Sequence, residues 1–352
     1  MVKANNQLHE DYSININEGV TISSLAMKLF LSKYYKDNIA KITKPSIYDF
    51  IKKYYYGGIT EVYRPYGENL NYYDVNSLYP YVAFNDMPGI NCKKITILNS
   101  EERKNSLDKL FGFFYCKVKS PMNLYIGLLP IKTNVGLEFP LGEWYGWYFS
   151  EELKFAKENG YEVEIIEGYE YDRASNVFHD YINTIYDKKA NAKNKTQKNL
   201  AKSLLNNLLG RFGININKSI SDIVSMEKFD KLSLMYKIES YKLLDDNKVL
   251  VSYIPLLDTE IVSSHNLDFL KVVSKYKDKE SVSFSNTSVG ISAAITAYGR
   301  IHINKIKLYI LSEGANIYYS DTDSIVTDIS LDNNMIDSKE RIREIYHNLL
   351  IK

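Results

Sequence analysis

Cysteine is scarce in this sequence. Cys92 and Cys116 are the only two, which excludes a disulfide framework or a cysteine-based zinc site and points to a reducing compartment. Long apolar runs are missing too. The longest, such as Leu124 to Ile131, fall well short of the roughly 18 residues a membrane helix needs, so no membrane partner is expected. An excess of one charge is also missing: 44 basic and 43 acidic residues give a net charge of +1. That excludes a wholesale basic protein of the histone kind, although a groove can be locally basic on a neutral body. The first residues, MVKANNQLHEDYSININ, hold neither an apolar signal core nor an Arg-rich amphipathic pattern. Export by a standard signal is therefore not expected, and a role in an organelle would imply that the gene resides there. No repeat of 20–50 residues is visible. The five histidines, His9, His179, His265, His302 and His347, are too scattered to suggest a ligand set.

What is present is ordinary globular material. With 352 residues, 45% of them hydrophobic and 25% charged, the chain can bury a sizeable core. At about 150 residues per domain it makes two to three domains or one large one. Tyrosine occurs 31 times, lysine 37 and asparagine 32, against seven arginines. These residues favour A/T-rich codons, so the bias reads as genome composition and fits an A/T-rich bacterium, phage, virus or organelle.

Along the chain, residues 22–36 have helical apolar spacing, and Tyr54-Tyr55-Tyr56-Gly57-Gly58 breaks the pattern. Residues 70–75 read as a strand and 76–84 as a helix; 112–118 read as a strand. Residues 121–149, rich in Pro, Gly and aromatics, suggest turns and short strands, with Trp144 and Trp147 as core or an interaction surface. Ser150 is placed to cap a helix that opens with Glu151-Glu152. Residues 176–212 read as one or two helices, 216–285 as mixed, and 288–313 as a helix containing glycine. Residues 315–328 alternate as two short strands around a polar tip, a hairpin. The last 22 residues are charged and helical in character.

Three segments carry chemistry. At the hairpin tip, Ser320-Asp321-Thr322-Asp323-Ser324 presents two carboxylates held by apolar strands. A hard cation such as Mg²⁺ takes few carboxylates, together with water and phosphate oxygens; equally, Asp is at home in turns. In Tyr73-Asp74-Val75-Asn76-Ser77-Leu78-Tyr79-Pro80, an acid ends a strand just before a helix begins, and helix-start N–H groups favour phosphate; a plain capping turn is the other reading. Two acidic strand ends in one chain are what two-metal phosphoryl transfer needs. If they make one site, Asp74 and Asp323 must converge on adjacent strands. In the segment Lys188 to Gly213, Lys195, Lys198, Lys202, Asn206 and Leu209 fall on one side of a helix, and Leu200, Leu204, Leu205 and Leu208 on the other. A lysine face can simply be solvated; beside two acidic strand ends it also suits a triphosphate.

The ordered set DVNSLYP, K-SLL-NNLLG and YSDTDS resembles motifs A, B and C of family B DNA polymerases, and most closely those of the protein-primed branch found in bacteriophages and mitochondrial linear plasmids. Tyr55-Tyr56-Gly57-Gly58 is similar to the YxGG motif of that branch, and Thr296-Ala297-Tyr298-Gly299-Arg300 to its TxxGR motif, both in the expected order. The resemblance implies an α+β fold, an antiparallel palm sheet with helical fingers, and template-directed DNA synthesis. Asp74 and Asp323, with the Val75 carbonyl, would hold two Mg²⁺ ions, Mn²⁺ being an alternative, and Asp321 would support them. Tyr79, next to Leu78, would lie under the deoxyribose and reject a 2′-hydroxyl. Lys202 would neutralise the triphosphate, and Asn206 would help position the dNTP. Thr296, Gly299 and Arg300 would touch the backbone of primer–template DNA, while Tyr55, Gly57 and Gly58 would guide the template. The first hydroxyl in that branch comes from a terminal protein.

Departures accompany the match. The usual K-xxx-NS-x-YG has Asn207 for its serine and Leu209 for its tyrosine, so Leu209 would offer apolar packing without an aromatic face. Few residues precede Tyr55 or follow Ser324, and the exonuclease domain and thumb of the family are expected to be largely absent. The expected organisation is an N-terminal segment (1–66), a first palm segment (67–119), an insertion in the terminal-protein slot (120–185), fingers (186–213), a second insertion (214–285), a second palm segment (286–330) and a C-terminal helix (331–352). Replication of a linear plasmid or mobile element, in a mitochondrion in preference to a phage-infected or bacterial cytoplasm, is the expected setting. The rival readings are a non-catalytic remnant that keeps DNA or terminal-protein binding, and an RNA-making polymerase, which the Tyr79 sugar gate disfavours.

Overall fold

The computed structural model describes residues 2–19, 21–39, 45–214, 219–257 and 288–331. In chain order the elements begin with helices α1 (Val2–Tyr12), α2 (Ile22–Lys33) and α3 (Pro45–Lys53), then strands β1 (Thr60–Val62) and β2 (Asn71–Asp74), then α4 (Leu78–Val82). Next come β3 (Met87–Thr96), α5 (Ser100–Asn105), β4 (Gly112–Lys119), the short pair β5 (Ile131–Lys132) and β6 (Leu137–Glu138), and β7 (Glu143–Phe149). They are followed by α6 (Ser150–Glu158), β8 (Glu162–Ala174), α7 (His179–Ala190) and α8 (Lys195–Phe212). The remainder is β9 (Ile220–Ser225), α9 (Met226–Ser233), β10 (Tyr236–Asp245), β11 (Lys248–Leu257), α10 (Val289–Ser312), β12 (Ile317–Asp321) and β13 (Ser324–Thr327).

Two compact units result, residues 1–213 with 288–352, and Ile214–Thr287. The first is organised around α10, a helix buried on nearly every side from Val289 to Ile310. Its apolar residues run all round the helix, which is the pattern of a core helix and not of a surface one. It packs on α3, α4, α6 and α8 and beneath strands β12 and β13. Those strands belong to a four-stranded antiparallel sheet of order β1-β12-β13-β2. Alternation gives this sheet two unlike faces. Ser320, Ile325 and Tyr73 stand in one cross-strand row and are buried toward α10.

A second sheet, of order β3-β8-β4-β7, holds an apolar cluster with Phe114, Cys116, Val118, Tyr148, Leu153 and Ile165. Val118 pairs with both Val163 and Trp144, so this one sheet crosses the boundary expected at 119/120: hydrogen bonding across strands, invisible in local composition, joins the two segments. Trp147 is buried against Phe50, Tyr54 and Tyr115, and the Trp144 Nε1–H donates to the Tyr148 hydroxyl. Ser150 is the first residue of α6 and not its cap, which is Phe149. Its Oγ instead accepts the Gly112 N–H inside the core.

The second unit has the antiparallel order β10-β11-β9. Helix α9 closes a small core of Val224, Leu232, Val249, Val251 and Tyr253. The sequence expectations for 258–285 and for the last helix lie outside the described residues.

Candidate active site

The β12–β13 hairpin turns on two residues, Thr322 and Asp323. Thr322 takes a left-handed conformation, φ 53°, which costs a β-branched residue energy and persists only where neighbours enforce it. Here they do. The Thr322 N–H donates to the Ile59 carbonyl at 2.7 Å. The Thr322 side chain packs on Gly58, where a Cβ would come within 2.8 Å of the Thr322 hydroxyl. Gly58 is therefore glycine because the hairpin tip approaches so closely.

The tip is bolted to the end of β2. Ser324 pairs with Asp74, and the Val75 N–H donates to the Asp323 carbonyl at 2.7 Å. The two acids that the sequence places 249 positions apart are thus brought together, Asp74 at the end of β2 and Asp323 in the turn that leads into the adjacent β13. Asp323 is half-buried, and its carboxyl is raised above the usual range, first by burial, then by the charge of Asp74, with a further contribution from Asp321. Asp321 differs. Its Oδ1 accepts hydrogen bonds from Thr60 at 2.9 Å and Thr322 at 3.1 Å. That engagement leaves it less free to ligate, which suits a supporting acid.

Among the described residues no three His, Cys, Asp or Glu side chains gather into a ready-made metal cage. The donor set nevertheless fits Mg²⁺, which uses one or two carboxylates and completes its shell with water and substrate phosphate. A divalent cation would relieve the charge that Asp74 presses on Asp323.

Beside the acids, Ser77 is left-handed, φ 54°, and starts α4. Leu78 is buried, and Tyr79 is largely so. Burial, with Tyr55 next in order, pushes the Tyr79 hydroxyl up to about 12, so it stays protonated and able to donate. Tyr79 rests on Gly299, where a Cβ would lie 3.2 Å from its ring; the glycine of TxxGR is thus explained by the tyrosine it admits. Lys189 Nζ lies 3.5 Å from the Ser77 hydroxyl.

Helix α8, capped by the Asn194 side chain on the Gln197 N–H, packs against α2, α4, α7 and α10. Lys195, Lys198, Lys202 and Asn206 are exposed. Leu209 is not with them; it is only 4% exposed, among Leu204, Leu205 and Leu208. The buried arc of α8 is wider than a single apolar stripe because partners surround its C-terminal half, and it takes in Leu209.

The largest correction concerns TxxGR. Arg300 and Thr296 were expected on the DNA backbone. Arg300 is only 3% exposed. Its Nε and Nη2 form a two-pronged pair with the Glu152 carboxylate at 2.6 and 2.8 Å, and Nη1 donates to the Tyr56 and Gly57 carbonyls at 2.9 and 2.8 Å. A guanidinium so buried and so fully paired is spent on the protein itself. It fastens the Tyr55–Gly58 segment that holds Thr322. Thr296 is buried and donates to the Ala293 carbonyl of its own helix. Tyr55 is half-buried, with its hydroxyl raised by burial. Glu152 and Thr60 escaped the sequence reading. Glu152 looked like a helix-start acid, and only its partner 148 positions away reveals its use.

An antiparallel sheet with paired acids at a hairpin tip, backed by a buried helix and flanked by a lysine-bearing one, defines a partial polymerase core. Residues 1–307 match the family described as DNA polymerase type B, organellar and viral, and the chain belongs to that family. A probable DNA polymerase of Podospora anserina is 47% identical over 340 residues, 95% of this chain and 28% of the relative. One of Neurospora intermedia is 37% identical over 97% of this chain and 33% of its own length. The chain thus spans about a third or less of these relatives. Among solved structures, Phi29 DNA polymerase with primer-template DNA and incoming nucleotide has the same fold, with TM-score 0.62 and 19% identity, covering 92% of this chain and 52% of that one.

Proposed function

We propose that this chain carries the polymerising centre of a protein-primed DNA polymerase that replicates a linear plasmid or mobile element, in a mitochondrion, extending a primer 3′-hydroxyl on a DNA template with dNTPs. The observation that supports it most is the convergence of Asp74 and Asp323 through the Ser324 pairing and the Val75–Asp323 bond. Asp74, Asp323 and the Val75 carbonyl would hold the metal ions, Mg²⁺ or Mn²⁺. When bound, two such ions supply activation of the 3′-hydroxyl and neutralisation of the departing pyrophosphate.

The chain's own residues do the rest. Tyr79, protonated and braced on Gly299, would exclude a 2′-hydroxyl. Lys202 and Asn206 project from the exposed face of α8 and would meet the triphosphate. Leu209, buried, supports α8 and offers no ring to the nascent pair. Tyr55, Gly57 and Gly58 form the segment along which the template would pass, with Arg300 and Glu152 holding it from behind. A terminal protein would supply the first hydroxyl, with 120–185 as the region it meets.

The test is primer extension on a short duplex with Mg²⁺ at low salt, beside Asp323→Ala. Extension that depends on Asp323 supports the proposal. DNA binding with no extension, unchanged by Asp323→Ala, would favour a module that binds without catalysis. Extension undiminished by Asp323→Ala would remove the site.

A further inference from the structure

The rear face of the palm sheet, turned to α10, is apolar where Tyr73 and Ile325 stand and polar where β1 joins it. Glu61 pairs with Ser320 and so shares that rear face. The Tyr63 hydroxyl donates to the Glu61 carboxylate. Lys307 of α10, with no exposed surface, brings its Nζ to 2.9 Å from the same hydroxyl. Asn304 lies three residues before Lys307, on the same side of the helix. Its Oδ1 and the Ser320 Oγ are buried with no hydrogen-bond partner among the described residues. This group is costly to bury, since a desolvated amine and two orphaned oxygens each work against folding. Well-packed apolar side chains would commonly cost less. A local rule broken without a compensating gain in stability marks a functional position.

The function follows from what β1 does. It is three residues long, lies at the edge of the sheet and is hydrogen-bonded to β12. Yet it secures the hairpin tip: the Thr60 hydroxyl donates to Asp321 at 2.9 Å, and the Ile59 carbonyl accepts the Thr322 N–H at 2.7 Å. A strand so short keeps its place through what stands behind it, and two cations of α10 stand there. Arg300 bonds the Tyr56 and Gly57 carbonyls before the strand. Lys307, two turns further along the same side of α10, bonds Tyr63 just after it. Resting on the polymerase reading, we infer that Lys307 and Tyr63 are positioning residues for nucleotidyl transfer: they fix the distance of β1 from α10 and so hold Thr60 on Asp321 and Ile59 on the turn that carries Asp323.

This hold depends on protonation. Burial, and then Glu61, keep the Tyr63 hydroxyl protonated and able to donate. Burial lowers the Lys307 amine to about 7, against the opposing pull of Glu61. The other groups around the pair are accounted for. Tyr125 acts on Tyr63, Glu152 of α6 is paired with Arg300, and β12, β13 and β2 turn Ser320, Ile325 and Tyr73 to the helix. A proton added to Lys307 is a charge without water around it, which drives the amine away from Tyr63. β1 is therefore held firmly above about pH 7 and loosened below it.

The experiment compares the parent chain with Lys307→Met, which keeps the bulk and loses the amine, and with Tyr63→Phe, which loses only the hydroxyl. Single-nucleotide addition to a primer–template with Mg²⁺ is measured from pH 6 to pH 9, beside amide hydrogen exchange corrected for the intrinsic rate at each pH. At pH 8 both variants should lose kcat on the order of tenfold with KM for dNTP unchanged, the mark of an interaction that serves the transition state. Exchange over residues 57–63 should quicken by a similar factor, with α10 unaffected. The ratio of parent to Lys307→Met should shrink toward one as pH falls through about 7, and the variant should melt no lower than the parent. A ratio that does not change with pH, a kcat equal to the parent's, or a loss that merely follows a fall in Tm would overturn the positioning role while Asp323-dependent extension left the polymerase reading standing. Absence of Asp323-dependent extension at every pH would overturn that reading, and this role with it.

Discussion

Replacing Arg300 separates two roles that one motif could serve. The side chains of Arg300 and Glu152 are 2% and 1% exposed, so solvent screening hardly discounts their pairing. Removing one partner of a buried pair leaves the other charge uncompensated, at about 3–5 kcal/mol, and the Tyr56 and Gly57 carbonyls lose their donor as well. At about 2–4 °C per kcal/mol for a domain of this order, Arg300→Ala should lower Tm by roughly 6–20 °C. Arg300→Lys should recover only part, because an ammonium cannot span both carboxylate oxygens and two carbonyls at once. Glu152→Ala with Arg300→Ala should cost less than the sum of the two single changes, since neither charge is then left alone. The measurements are thermal melts of the parent and the four variants, with salt titrations of DNA binding. A contact to the DNA backbone would behave in the opposite way: an unchanged Tm, and a salt slope reduced by about one. That pattern would refute the structural role and restore Arg300 to the DNA.

Three further outcomes are expected. Lys307 is buried, with its Nζ on the Tyr63 hydroxyl at 2.9 Å, and burial lowers its pKa to about 7; the unfolded chain therefore binds the extra proton between about 10.5 and 7, stability falls as pH drops through that window, and Lys307→Met should relieve a penalty of a few kcal/mol at pH 6.5 and much less at pH 10, by denaturant melts. Gly58→Ala drives a methyl to within 2.8 Å of the Thr322 hydroxyl, so it should cost about 1–3 kcal/mol and depress primer extension beyond its effect on Tm; full activity in that variant would show that the tip does not depend on this contact. Asp323→Asn removes the charge that Asp74 opposes, so its Tm without metal should equal or exceed that of the parent while the stabilisation by millimolar Mg²⁺ is lost; equal Mg²⁺ stabilisation in both would move the metal elsewhere.

How much could be read in advance follows from range. The β12–β13 hairpin, the start of α4 and the length of α10 were legible because each is a local pattern: alternation around Thr322-Asp323, an acid before a Pro-containing turn, an uninterrupted apolar helix. Their convergence was legible only through a resemblance, since nothing local says that Asp74 meets Ser324. The three-residue β1 was missed, because Thr60-Glu61-Val62 has too few residues to show a period, and it contributes Thr60 to Asp321. Leu209 was misplaced because a helical wheel knows angles but not neighbours. Arg300 was placed on DNA through the resemblance of its motif, and only the partner Glu152, 148 positions away, shows the buried pair that it makes.

The order of strands in the palm sheet bears on how the chain comes to be folded. Thr60 and Asp321 are hydrogen-bonded across 261 positions of sequence, and β2 waits almost as long for β13. At ribosomal rates of about 5–20 residues per second, roughly 13–50 s pass between the emergence of β1 and that of the strand that completes it. During that interval two strands are present with unfilled edges, which are templates for wrong pairing. High contact order adds a slow search once the last strand arrives. The helices and the β3-β8-β4-β7 sheet can form earlier, from residues closer together. The paired acids are therefore brought together late among the described elements, and a nascent chain halted just short of the hairpin would hold most of those elements but not the pairing of Asp74 with Ser324.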